Sequence, residues 1–203
     1  MAETRANLKN IASIGVAGIV VGFFAAYVMF GSNSAQAPIT SVGLGAEPSP
    51  HTADGGCPIT NATATVSGDS MAGIVKDGAE VTVLQGYYAC HDAVRGDIVA
   101  YNYPGMPIVK KVFGVPGDTL ALAKVASGGW HIVVNGNVLV NSANTPYDIS
   151  ASGDRMLSLY INAYHGVIPA DAYLILGDVP TGSNDSTAFG LVAIGDFIGK
   201  VAL

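Results

Sequence analysis

The sequence predicts a mostly β domain, barrel-like or a sandwich, carried on one N-terminal membrane-spanning helix. Three observations predict it. An uncharged apolar run fills residues 11–31. From about Ile59 onward, short β-prone runs alternate with turn signals. No long segment of that second part keeps a helical period, and no internal repeat is present.

Composition sets the outer limits. The 203 residues suffice for one domain of ordinary size plus an appendage. Hydrophobic residues make up 50% and charged residues 12%, which excludes a disordered or highly charged chain. The 26 glycines follow no three-residue period, which excludes collagen. A net charge of -6 argues against a nucleic-acid partner. Two cysteines are too few for a disulfide-dense scaffold or a four-cysteine zinc site.

The elements follow in chain order. Residues 1–10 carry Arg5 and Lys9 and are expected on the cytoplasmic side. Residues 11–31, helical at 1.5 Å per residue, would span about 30 Å, a bilayer core. No Lys or Arg follows until Lys76, so the rest of the chain is expected outside the cytoplasm. A cleaved signal peptide is the competing reading, with Ala35-Gln36-Ala37 as a small-x-small triplet. The length of the run and Pro38 just after that triplet favour a retained anchor. Residues 32–58 are small, polar or turn-forming and read as a flexible linker.

Residues 59–203 form the β-rich domain. Its expected strands are 80–84, 97–103, 108–113, 119–122, 130–134, 138–141, 173–176 and 197–201. Pro104-Gly105 and Asn135-Gly136 are expected hairpin turns. Met156–Ile161 is ambiguous between strand and helix.

The chemistry is sparse. No GxGxxG, GxxxxGKS, HExxH or GxSxG motif occurs, and the four histidines show no ligand spacing. No metal or cofactor is expected. A serine nucleophile without a histidine base needs another activator, and a neutral lysine can serve. Its ordinary pKa of about 10.4 must then fall by about 3 units, which burial among apolar side chains achieves. Lys110 and Lys111 lie in the apolar run from Ile108 to Phe113. On a strand they face opposite ways, each between apolar neighbours, so periodicity does not choose between them. Ser70 follows a Gly-containing turn in Val66-Ser67-Gly68-Asp69-Ser70-Met71. Taken singly, the lysine reads as a snorkelling strand residue and the serine as a turn residue.

Together these stretches resemble the type I signal peptidases, membrane-anchored Ser/Lys proteases that remove signal peptides from exported proteins. The resemblance rests on four ordered boxes. They are Gly68-Asp69-Ser70-Met71, then Arg95-Gly96-Asp97-Ile98-Val99, then the run from Lys110 to Pro116-Gly117-Asp118. The last is Gly177-Asp178 with Ser183-Asn184-Asp185-Ser186, Gly190 and Gly199-Lys200 beyond. The resemblance implies a signal-peptidase-like β-barrel or sandwich catalytic domain. It implies Ser70 as nucleophile and selects Lys110, four residues ahead of Gly114, as general base. It further implies Ser183 orienting the lysine, and Asp178 and Asp185 supporting the loops. Its implied partners are secretory preproteins and the lipid bilayer. An apolar surface meeting the membrane is also implied, with Tyr87, Tyr88, Tyr101, Tyr103 and Met106 as candidates beside ordinary sheet packing.

The sequence departs from the family pattern in places. Gly73 stands where a proline is usual, Val179 and Pro180 follow Asp178, and Thr187 replaces an arginine that would pair with Asp185. Gly68 brings no hydroxyl to an oxyanion hole. Three rival readings stand beside this one: a self-cleaving stress-response repressor, a related peptidase for pilus or conjugation subunits, and a catalytically silent membrane-tethered β-domain. The membrane span and the last box argue against the repressor. Cys57 and Cys90, outside the cytoplasm, are expected to form a disulfide. Cys90-His91 lacks two further ligands for a metal.

Overall fold

The structure is a computed structural model that describes residues 56–104, 106–126 and 128–203, and the backbone of 27–30. The expected N-terminus at 1–10, the anchor apart from 27–30 and the linker up to residue 55 lie outside the described residues. The last four residues assigned to the anchor but one form strand β1, Tyr27–Phe30, rather than helix. Among the described residues no helix is long and apolar enough to cross a membrane.

The strands continue with β2 (Thr60–Ser67), β3 (Glu80–Gln85), β4 (Ile98–Tyr103) and β5 (Met106–Gly114). Then come β6 (Leu120–Lys124), β7 (Trp130–Val134), β8 (Asn137–Val138) and β9 (Asp148–Ile149). Helix α1 (Ala151–Ala163) precedes β10 (Ala172–Leu176), and the one-turn α2 (Ser186–Phe189) precedes β11 (Val192–Ala193) and β12 (Phe197–Ala202).

Eight strands make the main sheet, in the order β1-β2-β3-β12-β4-β5-β10-β11. The sheet curls until β1 also touches β5 through the pair Tyr27↔Ile108. It is therefore mostly β, as predicted, but a curled sheet and not a closed barrel: β1 and β5 meet through that one pair, and β10 and β11 extend the sheet past β5. A second, small sheet contains β6, β7, β8 and β9: β6 pairs along one edge of β7, and the other edge is shared by β8 at Val133–Val134 and β9 at Trp130–His131. β4 and β5 pair antiparallel out to Tyr103↔Met106 on either side of the expected Pro104-Gly105 turn, of which Gly105 lies outside the described residues. Asn135 and Gly136 join β7 to β8 with φ of 51° and 77°, the two positive values of a type I′ turn.

Residues sort into three apolar clusters that place the site. Val66, Met71, Val83 and Val109 pack under the turn after β2. Ile108, Val112, Ile175 and Phe197 fill the other face of the sheet around β5. Phe113, Ile132, Tyr147, Leu157 and Leu174 join the small sheet and α1 to the main sheet. β5 contributes to all three, so both of its faces are covered. Tyr88 and Tyr101, proposed above for a membrane surface, are buried in the second cluster, with edge-to-face contacts on Phe197. Met106 is 41% exposed, and Tyr87 and Tyr103 are half-buried.

Candidate active site

Ser70 sits just past the end of β2, where Gly68 with φ of 96° turns the chain. The Gly68 amide donates to Asp77 at 2.8 Å, which ties down the far side of the turn. Met71, fully buried in the first cluster, anchors the residue after the serine. Lys110 lies in the middle of β5 with no solvent exposure. Its Nζ lies 2.8 Å from Ser70 Oγ and donates to it, and donates to the Val109 carbonyl at 3.0 Å. Burial pulls the Lys110 pKa down from 10.5 to about 8, against the Asp185 carboxylate, which pulls it up. Lys111 instead reaches the surface, with Nζ 5.2 Å over the Phe113 ring. Of the two lysines that periodicity left open, Lys110 is the one whose amine lies beside the Ser70 hydroxyl.

The segment after β10 closes the site. The amides of Asp178 and Val179 donate to the Ser70 carbonyl at 2.6 and 3.1 Å. Gly177 permits this approach, since a Cβ there would come within 2.7 Å of the same carbonyl oxygen and strike Ser183 Oγ. Asp178 is 3% exposed, and its carboxylate accepts from Ser142 N at 2.9 Å and Ser142 Oγ at 2.7 Å. Asp185, equally buried, accepts from Gly177 N at 3.0 Å, Thr187 N at 3.0 Å and Thr187 Oγ1 at 2.8 Å. Ser183 is buried beside them, but its Oγ bonds to nothing among the described residues. The expected bond from Ser183 to Lys110 is not made: Ser183 Oγ lies against Gly177, and Val109 takes the second lysine bond.

Asn141, Ser142 and Tyr147 carry no signal that the sequence reading used. Asn141 Nδ2 donates to the Asp178 carbonyl at 2.9 Å, and Tyr147 Oη to the Gly177 carbonyl at 2.6 Å. The two cysteines form a disulfide, Cys57–Cys90, with Cα–Cα of 5.9 Å. No cluster of three or more His, Cys, Asp or Glu among the described residues could hold a metal ion.

The model of the family "Signal peptidase, peptidase S26" matches residues 59–203. The chain belongs to this family. Signal peptidase IB of Staphylococcus aureus strain COL is 32% identical over 147 residues, covering 68% of this chain and 74% of that protein. Signal peptidase IB of strain N315 matches with the same identity and coverage. A crystal structure of signal peptidase I from Enterococcus faecalis matches with 23% identity and a TM-score of 0.40, over 55% of this chain and 98% of the other. One departure of this signal peptidase family member from the usual boxes also finds a physical reading. Thr187 supplies Asp185 with two hydrogen bonds where an arginine would supply an ion pair. Asp185 is therefore satisfied without a cation.

Proposed function

We propose that this protein removes signal peptides from exported preproteins, cutting after small-x-small motifs with Ser70 as nucleophile and Lys110 as general base. One observation carries the residue assignment: an amine with no exposure lies 2.8 Å from a serine hydroxyl. Family membership supplies the substrate class.

In the neutral form, the Lys110 lone pair accepts the Ser70 proton as Oγ attacks the scissile carbonyl. The tetrahedral oxyanion takes a hydrogen bond from the Ser70 backbone N–H. Collapse breaks the C–N bond. Protonated Lys110 gives its proton to the departing amine, and an ester to Ser70 remains. Lys110, neutral again, removes a proton from water, which hydrolyses the ester and restores the hydroxyl. Ser183 would orient Lys110 once substrate is bound, using a hydroxyl that is uncommitted among the described residues.

An extended chain has a place beside this pair. β1 lies between β2, which leads to Ser70, and β5, which carries Lys110. That gap has the width of one strand, and a substrate segment displacing β1 would gain the same backbone hydrogen bonds. Positive charge at Arg5 and Lys9, with none until Lys76, supports a cytoplasmic N-terminus and an extracytoplasmic domain.

Purified full-length protein in detergent is expected to cleave a preprotein bearing Ala-x-Ala before its mature sequence. Ser70→Ala and Lys110→Ala are each expected to abolish cleavage with the fold retained, as circular dichroism would show. Undiminished cleavage by Lys110→Ala would remove the lysine from the mechanism. Absence of cleavage of any preprotein would favour a protein-binding β-domain.

A further inference from the structure

We propose that the loop between β8 and β9 positions the attacking hydroxyl, with Ser142 as the positioning residue and Asn141 as its brace. This inference rests on the peptidase reading of Ser70 given above.

The loop belongs to the small sheet, yet it grips the segment that holds the serine. Ser142 gives one donor to each oxygen of the Asp178 carboxylate, N to Oδ1 at 2.9 Å and Oγ to Oδ2 at 2.7 Å. Asn141 Nδ2 holds the carbonyl of the same residue at 2.9 Å. Asn141 is itself fixed, because its Oδ1 accepts from the amides of Ala143 at 3.0 Å and Thr145 at 2.8 Å. Asp178 is thus clamped at its side chain and its carbonyl, while its amide and that of Val179 hold the Ser70 carbonyl.

The other end of the serine turn meets the same pair. A Cβ placed on Gly73 would strike both Asp178 Oδ2 and Ser142 Oγ. The turn from Ser70 to Gly73 therefore rests directly on the Ser142–Asp178 bond at one end and hangs from the Asp178 and Val179 amides at the other. Displacing a reacting atom by about 1 Å can cost on the order of 100-fold in rate. Loss of one donor to Asp178 is a smaller disturbance. Ser142 is exposed, so removing its hydroxyl opens no cavity in the core.

Ser142→Ala, Ser142→Thr and Gly73→Ala in the full chain provide the test, with an Ala-x-Ala preprotein as substrate. Ser142→Ala is expected to lower kcat by roughly tenfold with KM within about twofold, because the substrate groove is untouched while the nucleophile shifts. The Asp178 and Val179 amides should exchange hydrogen faster, and amides of β3 and β12 should not. Ser142→Thr should restore kcat and exchange protection. Gly73→Ala should lower kcat by pushing on the same bond from the opposite side. Unchanged kcat and exchange in Ser142→Ala would overturn the inference, as would failure of Ser142→Thr to restore either. If the unaltered protein cleaves nothing, the peptidase reading falls, while the exchange comparison still decides whether Ser142 holds the Asp178–Ser70 contact.

Discussion

Lys110 is the one buried cation among the described residues, and its burial has two measurable consequences. The first is kinetic. A general base must be neutral, so the rate of acylation is expected to rise with pH through about 8 and to level off above it. A pH profile of kcat/KM for preprotein cleavage checks this, and a rate already flat from pH 6 upward would contradict it. The second is thermodynamic. The unfolded chain keeps the lysine protonated up to about 10.5, whereas the folded chain releases the proton near 8. The unfolded state therefore binds more protons between these values, and stability rises with pH across that window. Below pH 8 the burial of the charge costs on the order of 3 kcal/mol. Lys110→Met is expected to abolish cleavage, to be more stable than the unaltered protein at pH 7, and to lose that rise; denaturant titrations at pH 7 and 10.5 would show it. At this scale the sequence was half legible. Two lysines in an apolar strand pointed to the chemistry, but β5 is covered on both faces, so alternation could not say which one was dry.

Elements locate the site through polar struts as much as through apolar packing. Asp118, after β5, accepts from Arg95 Nη2 at 2.8 Å, Val115 N at 2.8 Å and Asn135 Nδ2 at 2.7 Å. Arg95 Nη1 reaches on to the Phe113 carbonyl at 2.8 Å. This joins the approach to β4, the end of β5 and the β7–β8 hairpin. Burial pushes the Asp118 pKa up, but the hydrogen bonds from Arg95, Val115 and Asn135 and the Arg95 charge outweigh it and hold the group below its ordinary 3.8. Its contribution is thus present above the unfolded value and is lost as pH falls through the folded one, in the acid range below 3.8. Asp118→Ala leaves three donors without their acceptor and is expected to cost about 2–3 kcal/mol, measured by urea unfolding at pH 7, with the difference shrinking at acid pH. The strands on either side of this strut were legible because Val, Ile and Tyr runs bounded by Gly and Pro mark strands locally. α1 was not. Its buried positions are Gly153 and Leu157, and a search for apolar period does not count a glycine. β2, rich in Thr and Ala, was likewise passed over, because its inward face needs only small residues at Ala64 and Val66. Asn141 and Ser142 stayed hidden for another reason: their partner is 36 or 37 residues away, and nothing local announces it.

At the scale of the whole molecule, the proposed chemistry needs a buried amine and the proposed location rests on the charge pattern. The Cys57–Cys90 disulfide connects the two because thiols stay reduced in the cytoplasm and oxidise outside it. It closes a separation of 33 residues between the entry to the domain and the turn after β3. In the chain-entropy account this stabilises the fold by about 3–4 kcal/mol, so reductant is expected to lower the unfolding temperature by roughly 10 °C. Ser70 and Lys110 take no part in the bond, so cleavage well below that temperature should survive reduction. The same bond also reports topology in the cell. On the topology proposed above, Arg5 and Lys9 are the cations that would hold the N-terminus inside. Replacing both with Gln and adding four lysines within residues 32–50 should reverse the charge bias and retain the domain in the cytoplasm. Thiol alkylation of whole cells should then find Cys57 and Cys90 reduced, and processing of exported preproteins by this chain should stop although Ser70 and Lys110 are intact. An oxidised pair in the reversed variant, with processing continuing, would mean that the charges flanking the apolar run do not set which side of the membrane the domain occupies.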